Sequence, residues 1–113
     1  MEIYQLITIN SLAVNKKIAK KFGIKSAILL GELINEFNYS YDNKENVGDF
    51  FPASIRRIEA ETTLTKYQQD KAIKLLQKEG TLETMIKGLP AKRYFKINVN
   101  KVIEFLIWIR NKR

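Results

Sequence analysis

The sequence predicts an α+β, mainly helical fold in a single domain over residues 1–113. Three observations lead to this prediction. Apolar residues recur at helical spacing in several segments. Two β-branched and aromatic segments, 82–87 and 92–98, flank the turn residues Gly-Leu-Pro-Ala at 88–91. A length of 113 residues suits one compact domain with one hydrophobic core.

The chain begins with two short predicted elements. Residues 3–9 are rich in β-branched and aromatic side chains, which indicates a short strand. An amphipathic helix is expected over 12–22, with Asn10 or Ser11 as its capping residue and Gly23 as its end.

A central core helix, a loop and an edge segment are expected next. Residues 25–37 carry a wide apolar face, which is typical of a buried helix. The polar stretch 38–49 indicates a loop. Pro52 excludes 50–52 from a central strand, so this segment is expected to be an edge strand or a turn.

The C-terminal half has a strongly ordered pattern. Ser54 is a capping residue for a helix that runs to Ala60 or Glu61, and 62–64 form a break. A longer helix over 66–79 follows. It begins with the capping box of Thr65 and Gln68 and ends before Gly80. The hairpin at 82–98 and a last helix at 99–110 complete the chain.

This order of elements predicts a winged helix-turn-helix. Two helices joined by a three-residue turn form a helix-turn-helix over 54–79, and the hairpin directly after them forms the wing at 82–98. In such domains the second helix lies in the major groove of DNA, with its N-terminal residues toward the base edges. The sequence therefore predicts binding to double-stranded DNA.

Net charge supports a polyanionic partner. Residues 1–50 hold six lysines and six acidic residues, whereas residues 51–113 hold fourteen Lys or Arg and six acidic residues. The whole excess of +8 therefore lies in the half that carries the helix-turn-helix.

Missing residue types exclude several functions. Without histidine or cysteine, the chain has no zinc site of the usual nitrogen or thiolate kind and no Ser-His or Cys-His catalytic pair. We expect a DNA-binding protein without enzymatic activity, metal or cofactor. The lack of cysteine and of a long apolar run or signal segment predicts a cytoplasmic protein without a membrane segment.

The predicted DNA contacts of the long helix come from its surface. Ala72, Ile73 and Leu76 form its core-facing stripe, which leaves the other side chains outside. Glutamine pairs with adenine and lysine contacts guanine or phosphate, and the first-turn amides suit a phosphate. Gln69 is the leading base reader, while Gln68 has an alternative role in capping and Tyr67 in packing. The candidates are Thr65, Lys66, Tyr67, Gln68, Gln69, Lys71 and Lys74.

Basic residues around the hairpin loop extend this surface. Lys87, Lys92 and Arg93 flank the turn and are expected to contact phosphates. Arg56 and Arg57, early in the preceding helix, are further candidates, and one of them is expected to pair with an acid.

Three segments resemble replication proteins of phages and plasmids of the replisome-organiser type. The recognition helix of these proteins is resembled by residues 64–80. Their wing is resembled by residues 82–84 and 87–98, and their core helix by residues 26–33. The resemblance spans about residues 10–98 and implies a role in replication or maintenance of a phage, plasmid or mobile element. Since these proteins are usually longer, with a second domain for partner proteins, this chain is either a fragment or has another role. The alternatives are a transcriptional repressor, an accessory protein of conjugation and a protein–protein interaction module.

The last predicted helix, 99–110, is apolar on nearly every side. Its apolar surface is broad for a domain of this size, so we expect it to join two chains in a homodimer. The alternative is that it packs within one chain against the first strand and helix 12–22. Its apolar residues are Val99, Val102, Ile103, Phe105, Leu106, Ile107, Trp108 and Ile109.

Overall fold

The computed structural model describes residues 3, 5 and 11–111, with the side chains of 105 and 107–111 outside that description. This part of the chain is α+β and mainly helical, as predicted. None of its helices combines the length and apolar character that a membrane span needs. From residue 16 onward the elements are α1 (Lys16–Phe22), α2 (Ile24–Asp42), β1 (Phe51–Pro52), α3 (Ile55–Thr62), α4 (Lys66–Lys78), β2 (Leu82–Lys87), β3 (Lys92–Ile97) and α5 (Val99–Asn111).

Helix α2 forms the centre of the fold. It packs against α1, α3, α4 and β1, so most of the other elements are positioned by it. Leu29 and Leu33 lie one turn apart on the same helical face and are fully buried. Gly31 lets the chain at Ala13 pass close to this helix, because a Cβ at residue 31 would collide with the Ala13 carbonyl.

The sheet covers the other side of this core. It is antiparallel with strand order β1-β3-β2. Phe51 of β1 lies opposite Phe95 of β3, and both rings are fully buried with centroids 6.2 Å apart. Pro52 therefore lies in a short edge strand, which confirms the first of the two alternatives for 50–52.

The N-terminal predictions need correction. Of the predicted strand 3–9, the structure describes Ile3 and Gln5, and both are helical. The remaining positions of that strand, and Asn10, lie outside the described residues. The next helix begins at Lys16 and not at residue 12, because Asn15 is its cap. The Asn15 side chain accepts hydrogen bonds from the amides of Lys17 and Ile18.

Helix α2 is longer than its sequence pattern predicts. It runs to Asp42, through the first five residues of the predicted loop 38–49. Tertiary contacts outweigh the polar composition here. Ser40 is buried, and the Phe37 ring contacts both Tyr41 and Phe51, with centroid distances of 6.3 and 5.6 Å.

The C-terminal half agrees with its predicted local structure. The Ser54 hydroxyl accepts from the Arg57 amide at the start of α3, and Thr63, with φ of 67°, ends that helix. The capping box of Thr65 and Gln68 begins α4. The hairpin turn is at 88–91, and α5 begins at Val99 as predicted.

Two carboxylates are buried on α2. Glu32 is 5% exposed and Glu36, one turn later, is 3% exposed. Burial, followed by the hydrogen bond and the charge of Glu36, raises the pKa of Glu32 from 4.5 to about 7, and the charge of Glu61 acts in the same direction. Glu36 forms an ion pair with Arg57, with 2.6 Å between Oε1 and Nε.

The raised pKa of Glu32 predicts a pH-dependent stability. The folded chain keeps a proton that the unfolded chain loses above its ordinary pKa of 4.5, so stability should fall as pH rises from about 5 to about 7 and level off above that. The chain has no histidine to mask this change. Glu32→Gln should remove most of the dependence and unfold at higher urea concentration than the wild type at about pH 8.

The exposed carboxylate of Glu59 offers a matched control. Urea denaturation of Glu59→Gln should retain the wild-type pH profile, because this side chain lies at the surface of α3. A Glu32→Gln profile as steep as that of the wild type would show that Glu32 does not hold the proton.

Candidate nucleic-acid interface

The outer face of α4 is basic. Gln69, Ala72, Ile73 and Leu76 are its buried residues, so they define the side that faces the core. The opposite side carries an exposed stripe at spacings of four, three and four residues. We call it the α4 stripe; it consists of Tyr67, Lys71, Lys74 and Lys78. Tyr67 is 72% exposed, and the Lys71 ammonium lies 5.9 Å from its ring centroid.

Gln69 does not lie on the outer surface predicted for it, because its helical spacing puts it on the same face as Ala72, Ile73 and Leu76. Its side chain is fully buried. The Gln69 amide nitrogen donates to the carbonyls of Ile55, at 3.0 Å, and Leu64, at 2.9 Å. Its side-chain oxygen accepts from Arg93 Nη2 at 3.3 Å. These bonds use the amide within the fold, so Gln69 is not available to read a base in this conformation.

Arg93 is likewise held within the fold. Only 18% of its side chain is exposed, and its guanidinium lies 4.7 Å from the Phe95 ring centroid and 3.7 Å from the Asp70 carboxylate. Burial lowers the pKa of Arg93, and the charge of Asp70 opposes that shift. In this structure Arg93 therefore bridges β3 and α4, and its expected phosphate contact stays a prediction.

The first turn of α4 is also engaged in local contacts. Thr65 Oγ1 accepts from the Gln68 amide at 3.2 Å, and Gln68 Oε1 accepts from the Thr65 amide at 3.0 Å. This is the capping alternative for Gln68. Lys66 donates to Asp70 at 2.8 Å, and that hydrogen bond lowers the pKa of Asp70.

The two arginines of α3 differ. Arg57 pairs with buried Glu36 and stacks on Tyr39, with 4.8 Å between the guanidinium carbon and the ring centroid. The hydrogen bond that Arg57 Nε donates to Glu36 Oε1 raises the pKa of Arg57. Arg56 is exposed. The expectation that one of the two pairs with an acid is confirmed for Arg57, which leaves Arg56 as the outward cation.

The end of the hairpin next to its turn carries two more cations. Lys87 and Lys92 lie opposite each other in the last pair of β2 and β3, and both are exposed. A cleft of about 440 Å³ separates this tip from the start of α3. Its lining includes Ser54, Arg57 and Lys92. Basic groups of α3 and the hairpin thus border one cleft, together with the carboxylates of Glu36 and Glu45.

Comparison with known proteins identifies related folds. The chain superposes with a TM-score of 0.64 on the structures titled "N-Terminal domain of DNA binding protein" and "Structure of Rep-DNA complex". Each of the two structures shares 17% sequence identity with this chain, and each alignment covers 86% of this chain. The alignments cover 80% of the chain in the first structure and 81% of the chain in the second. The chain therefore shares its fold with a DNA-binding protein's domain and with a chain of a Rep–DNA complex. No protein-family model and no curated protein matches the sequence.

The structure brings together only part of the predicted residue set. The predicted residues that are exposed lie in α3, α4 and the hairpin. They are Arg56, Tyr67, Lys71, Lys74, Lys87 and Lys92. Sequence analysis missed Lys78, although its helical spacing from Lys71 and Lys74 is a detectable signal. The residues engaged in contacts within the fold are Arg57, Lys66, Gln68, Gln69 and Arg93.

The buried amide of Gln69 predicts a loss of stability on truncation. Gln69→Ala leaves the carbonyls of Ile55 and Leu64 without this donor, so we expect the free energy of unfolding to fall by about 2–3 kcal/mol. Gln77 is the control, because its amide donates to Thr84 Oγ1 at an exposed site. Gln77→Ala should lose less than about 1 kcal/mol in urea denaturation. Equal stability of the two variants would contradict the structural role of Gln69.

Proposed function

We propose that this chain is a winged helix-turn-helix domain that binds double-stranded DNA, with α4 as its recognition helix and the β2–β3 hairpin as its wing. The α4 stripe carries the proposal, because three lysines and an exposed tyrosine cover the side of α4 that faces away from the core. A helix fits the major groove, where this side would face base edges and phosphates. Lys87 and Lys92 extend the positive surface to the hairpin tip.

Base reading is proposed for the N-terminal half of the α4 stripe. Tyr67 is exposed near the helix start, where recognition helices approach base edges, and Lys71 next to it would contact a phosphate. Gln69 is replaced as the leading reader because its amide is buried. Lys66 is a secondary candidate that would first have to leave Asp70.

The proposed role is in replication or maintenance of a plasmid, phage or other mobile element. The sequence resemblance of 64–80, 82–84 and 87–98 supports this role, as does the fold shared with a chain of a Rep–DNA complex. A transcriptional repressor or an accessory protein of conjugation would use the same surface. The lack of histidine and cysteine supports binding without catalysis. A cytoplasmic location stays a prediction.

Salt dependence tests the interface. Binding of the wild type to random duplex DNA should weaken steeply with salt, because cations that neutralise phosphates release counterions. Lys71→Ala, Lys74→Ala and Lys78→Ala should each reduce the slope of log affinity against log salt by about 1. Fluorescence anisotropy of a labelled duplex measures both quantities.

Lys44 provides a control of the same residue type. It is exposed after α2, in the half of the chain without excess charge, so Lys44→Ala should keep the wild-type slope. Unchanged slopes for all three α4 variants would remove α4 from the interface. Absence of duplex binding at low salt would favour a protein–protein module.

We further propose a homodimer through α5. Val102 and Leu106 pack against the core, as the intramolecular alternative requires, but Val99 is 60% and Ile103 is 45% exposed. These two line an open groove of about 670 Å³ together with Ile34 and Phe37 of α2. Asp49 and Lys96 also line it, which offers opposite charges for a self-complementary, two-fold contact. The side chains of Phe105 and of Ile107, Trp108 and Ile109 lie outside the described residues.

The exposed position of Ile103 allows a test that spares the core. Ile103→Glu should convert a dimer to a monomer in light scattering, because a carboxylate would replace an apolar contact whose exposed 45% is worth about 1 kcal/mol in each chain. Ile24→Glu alters an isoleucine that is 56% exposed at the start of α2 and should leave the dimer intact. A wild type that is monomeric at high micromolar concentration would overturn the dimer.

A further inference from the structure

A second group of lysines lies outside residues 51–113. Five lysines and no acidic residue occur within the ten residues 16–25. The acids that balance the charge of residues 1–50 are at residue 2 and over 32–49, so the charge of 16–25 is locally uncompensated. Lys17 is half-buried and the other four lysines are exposed. We call this group the 16–25 cluster; it consists of Lys16, Lys17, Lys20, Lys21 and Lys25.

Stability of α1 does not account for these lysines. Lys16 and Lys17 are in the first turn of α1, where the helix dipole favours acidic residues, and that turn has none. Lys20 and Lys21 suit the dipole at the last turn, but each follows another lysine by four residues, and such like-charge pairs destabilise a helix. The ion pairs of the described residues include none of Lys16, Lys17, Lys20 and Lys25. The cluster therefore gains from a partner that supplies negative charge.

Helix α1 holds the cluster in a fixed position on the core. Ile18 and Phe22, one turn apart, are buried, and the helix packs against α2. Asn15 caps its start. Gly23, with φ of 94°, ends it, and the Gly23 amide donates to the Ala19 carbonyl at 2.8 Å. The lysines thus belong to a capped and packed helix, which fixes their direction relative to the rest of the fold.

The hairpin runs along one side of α4. Arg93 of β3 lies 3.7 Å from the carboxylate of Asp70, and Gln77 donates to Thr84 of β2 at 3.0 Å. Asp70 and Gln77 are seven residues apart, so they share one side of the helix. That side of α4 therefore faces the hairpin.

The junction of α1 and α2, residues 22–26, lies along the opposite side of α4. A groove of about 300 Å³ separates the two, and its α4 lining includes Gln68 and Leu75. At 3.6 residues per turn, these two are rotated by nearly half a turn from Asp70 and Gln77, and the α4 stripe lies between. Lys25 and Lys71 line the same groove, so the 16–25 cluster and the α4 stripe form one continuous basic surface.

We infer that the 16–25 cluster binds the phosphate backbone of the duplex that α4 enters, on the side of α4 opposite to the hairpin. A helix in the major groove has a phosphate backbone on each side. With the α4 stripe toward the groove floor, the hairpin lies beside one backbone and the 16–25 cluster beside the other. Lysine contacts to phosphate position a protein on DNA without reading its sequence. This inference rests on the proposed DNA binding.

An anionic lipid surface is a competing partner for a helix rich in lysine. Membrane-surface helices insert a free apolar face between lipids. The apolar residues Ile18 and Phe22 of α1 are instead buried in the core, and the helix has seven residues. Continuity with the α4 stripe favours DNA, and lipid binding is a test outcome.

The first test measures binding of the full chain to random duplex DNA by fluorescence anisotropy. Lys16→Gln combined with Lys20→Gln should lower the slope of log affinity against log salt by about 2 and weaken binding on the order of tenfold at about 0.15 M salt. Its urea midpoint should equal that of the wild type, because both side chains are exposed and the change removes a like-charge pair.

Two control variants accompany this measurement. Lys16→Arg combined with Lys20→Arg keeps both charges, so it should keep the wild-type salt slope. Lys44→Gln removes one charge far along the chain from the cluster and should also keep that slope. Equal losses from Lys44→Gln and from Lys20→Gln would show an effect of net charge alone and would contradict a local contact.

The second test measures proximity without relying on affinity. The chain has no cysteine, so one introduced cysteine gives a unique attachment point for an iron chelate that cleaves nearby DNA backbone. Ile24→Cys places the chelate at the junction, at a side chain that is 56% exposed, and should cleave bound random duplex. Lys44→Cys, at the exposed residue after α2, should leave the duplex intact.

Four results distinguish the possibilities. A wild-type salt slope for the Lys16 and Lys20 glutamine variant, with a reduced slope for Lys71→Ala, would refute the inference and leave DNA binding by α4 intact. Absence of cleavage from residue 24 would likewise refute it. Binding of the wild type to phosphatidylglycerol vesicles that the glutamine variant abolishes, with duplex binding unchanged, would assign the cluster to lipid. A wild type that binds no duplex would refute the proposed function together with this inference.

Discussion

The buried amide of Gln69 joins the three parts of the candidate interface. Its nitrogen bonds to the first residue of α3 and to the turn before α4, and its oxygen bonds to Arg93 of β3. The angle between α3 and α4 and the position of the hairpin therefore both depend on the hydrogen bonds of this one side chain. Buried groups of this kind are costly when unpaired, so the full set of bonds favours a single arrangement. Arg93 extends the junction to Asp70 and, through it, to Lys66.

This junction divides the positive charge of residues 51–113 into two groups. Arg57 and Arg93 pair with acids of other elements and hold those elements together, whereas Lys66 pairs with Asp70 within α4. The α4 stripe and the hairpin tip keep their cations at the surface. Net charge alone does not distinguish the two groups, although the first supports the shape of the surface and the second supplies its potential. Surface cations on rigid elements suit a regular polyanion such as duplex DNA.

The carboxylates of α2 link the core to the same surface. Glu36 binds Arg57 at the first turn of α3, and Glu32 shares the buried face one turn earlier. A protonated Glu32 avoids two adjacent buried negative charges, which adds to the effect of burial in raising its pKa. The position of α3 thus depends on an ion pair whose acidic partner is held by the central helix.

Local sequence signals determined most elements of the described chain. The capping box of Thr65 and Gln68, the turn at 88–91 and Pro52 at the edge of the sheet each act within a few residues, so the sequence alone predicts them. Contacts between distant residues decided the rest. In the extra turn of helix α2, Ser40 is buried and the Tyr39 ring stacks with Arg57 of α3. The buried Gln69 amide is satisfied because backbone carbonyls from α3 and the turn face it. A helical wheel already places Gln69 on the same face as Ala72, Ile73 and Leu76, but it does not contain the carbonyls that bind the buried amide. Composition and spacing thus determined the type and order of the helices and strands, whereas only tertiary packing decided which cations pair with acids of other elements and which remain free for a partner.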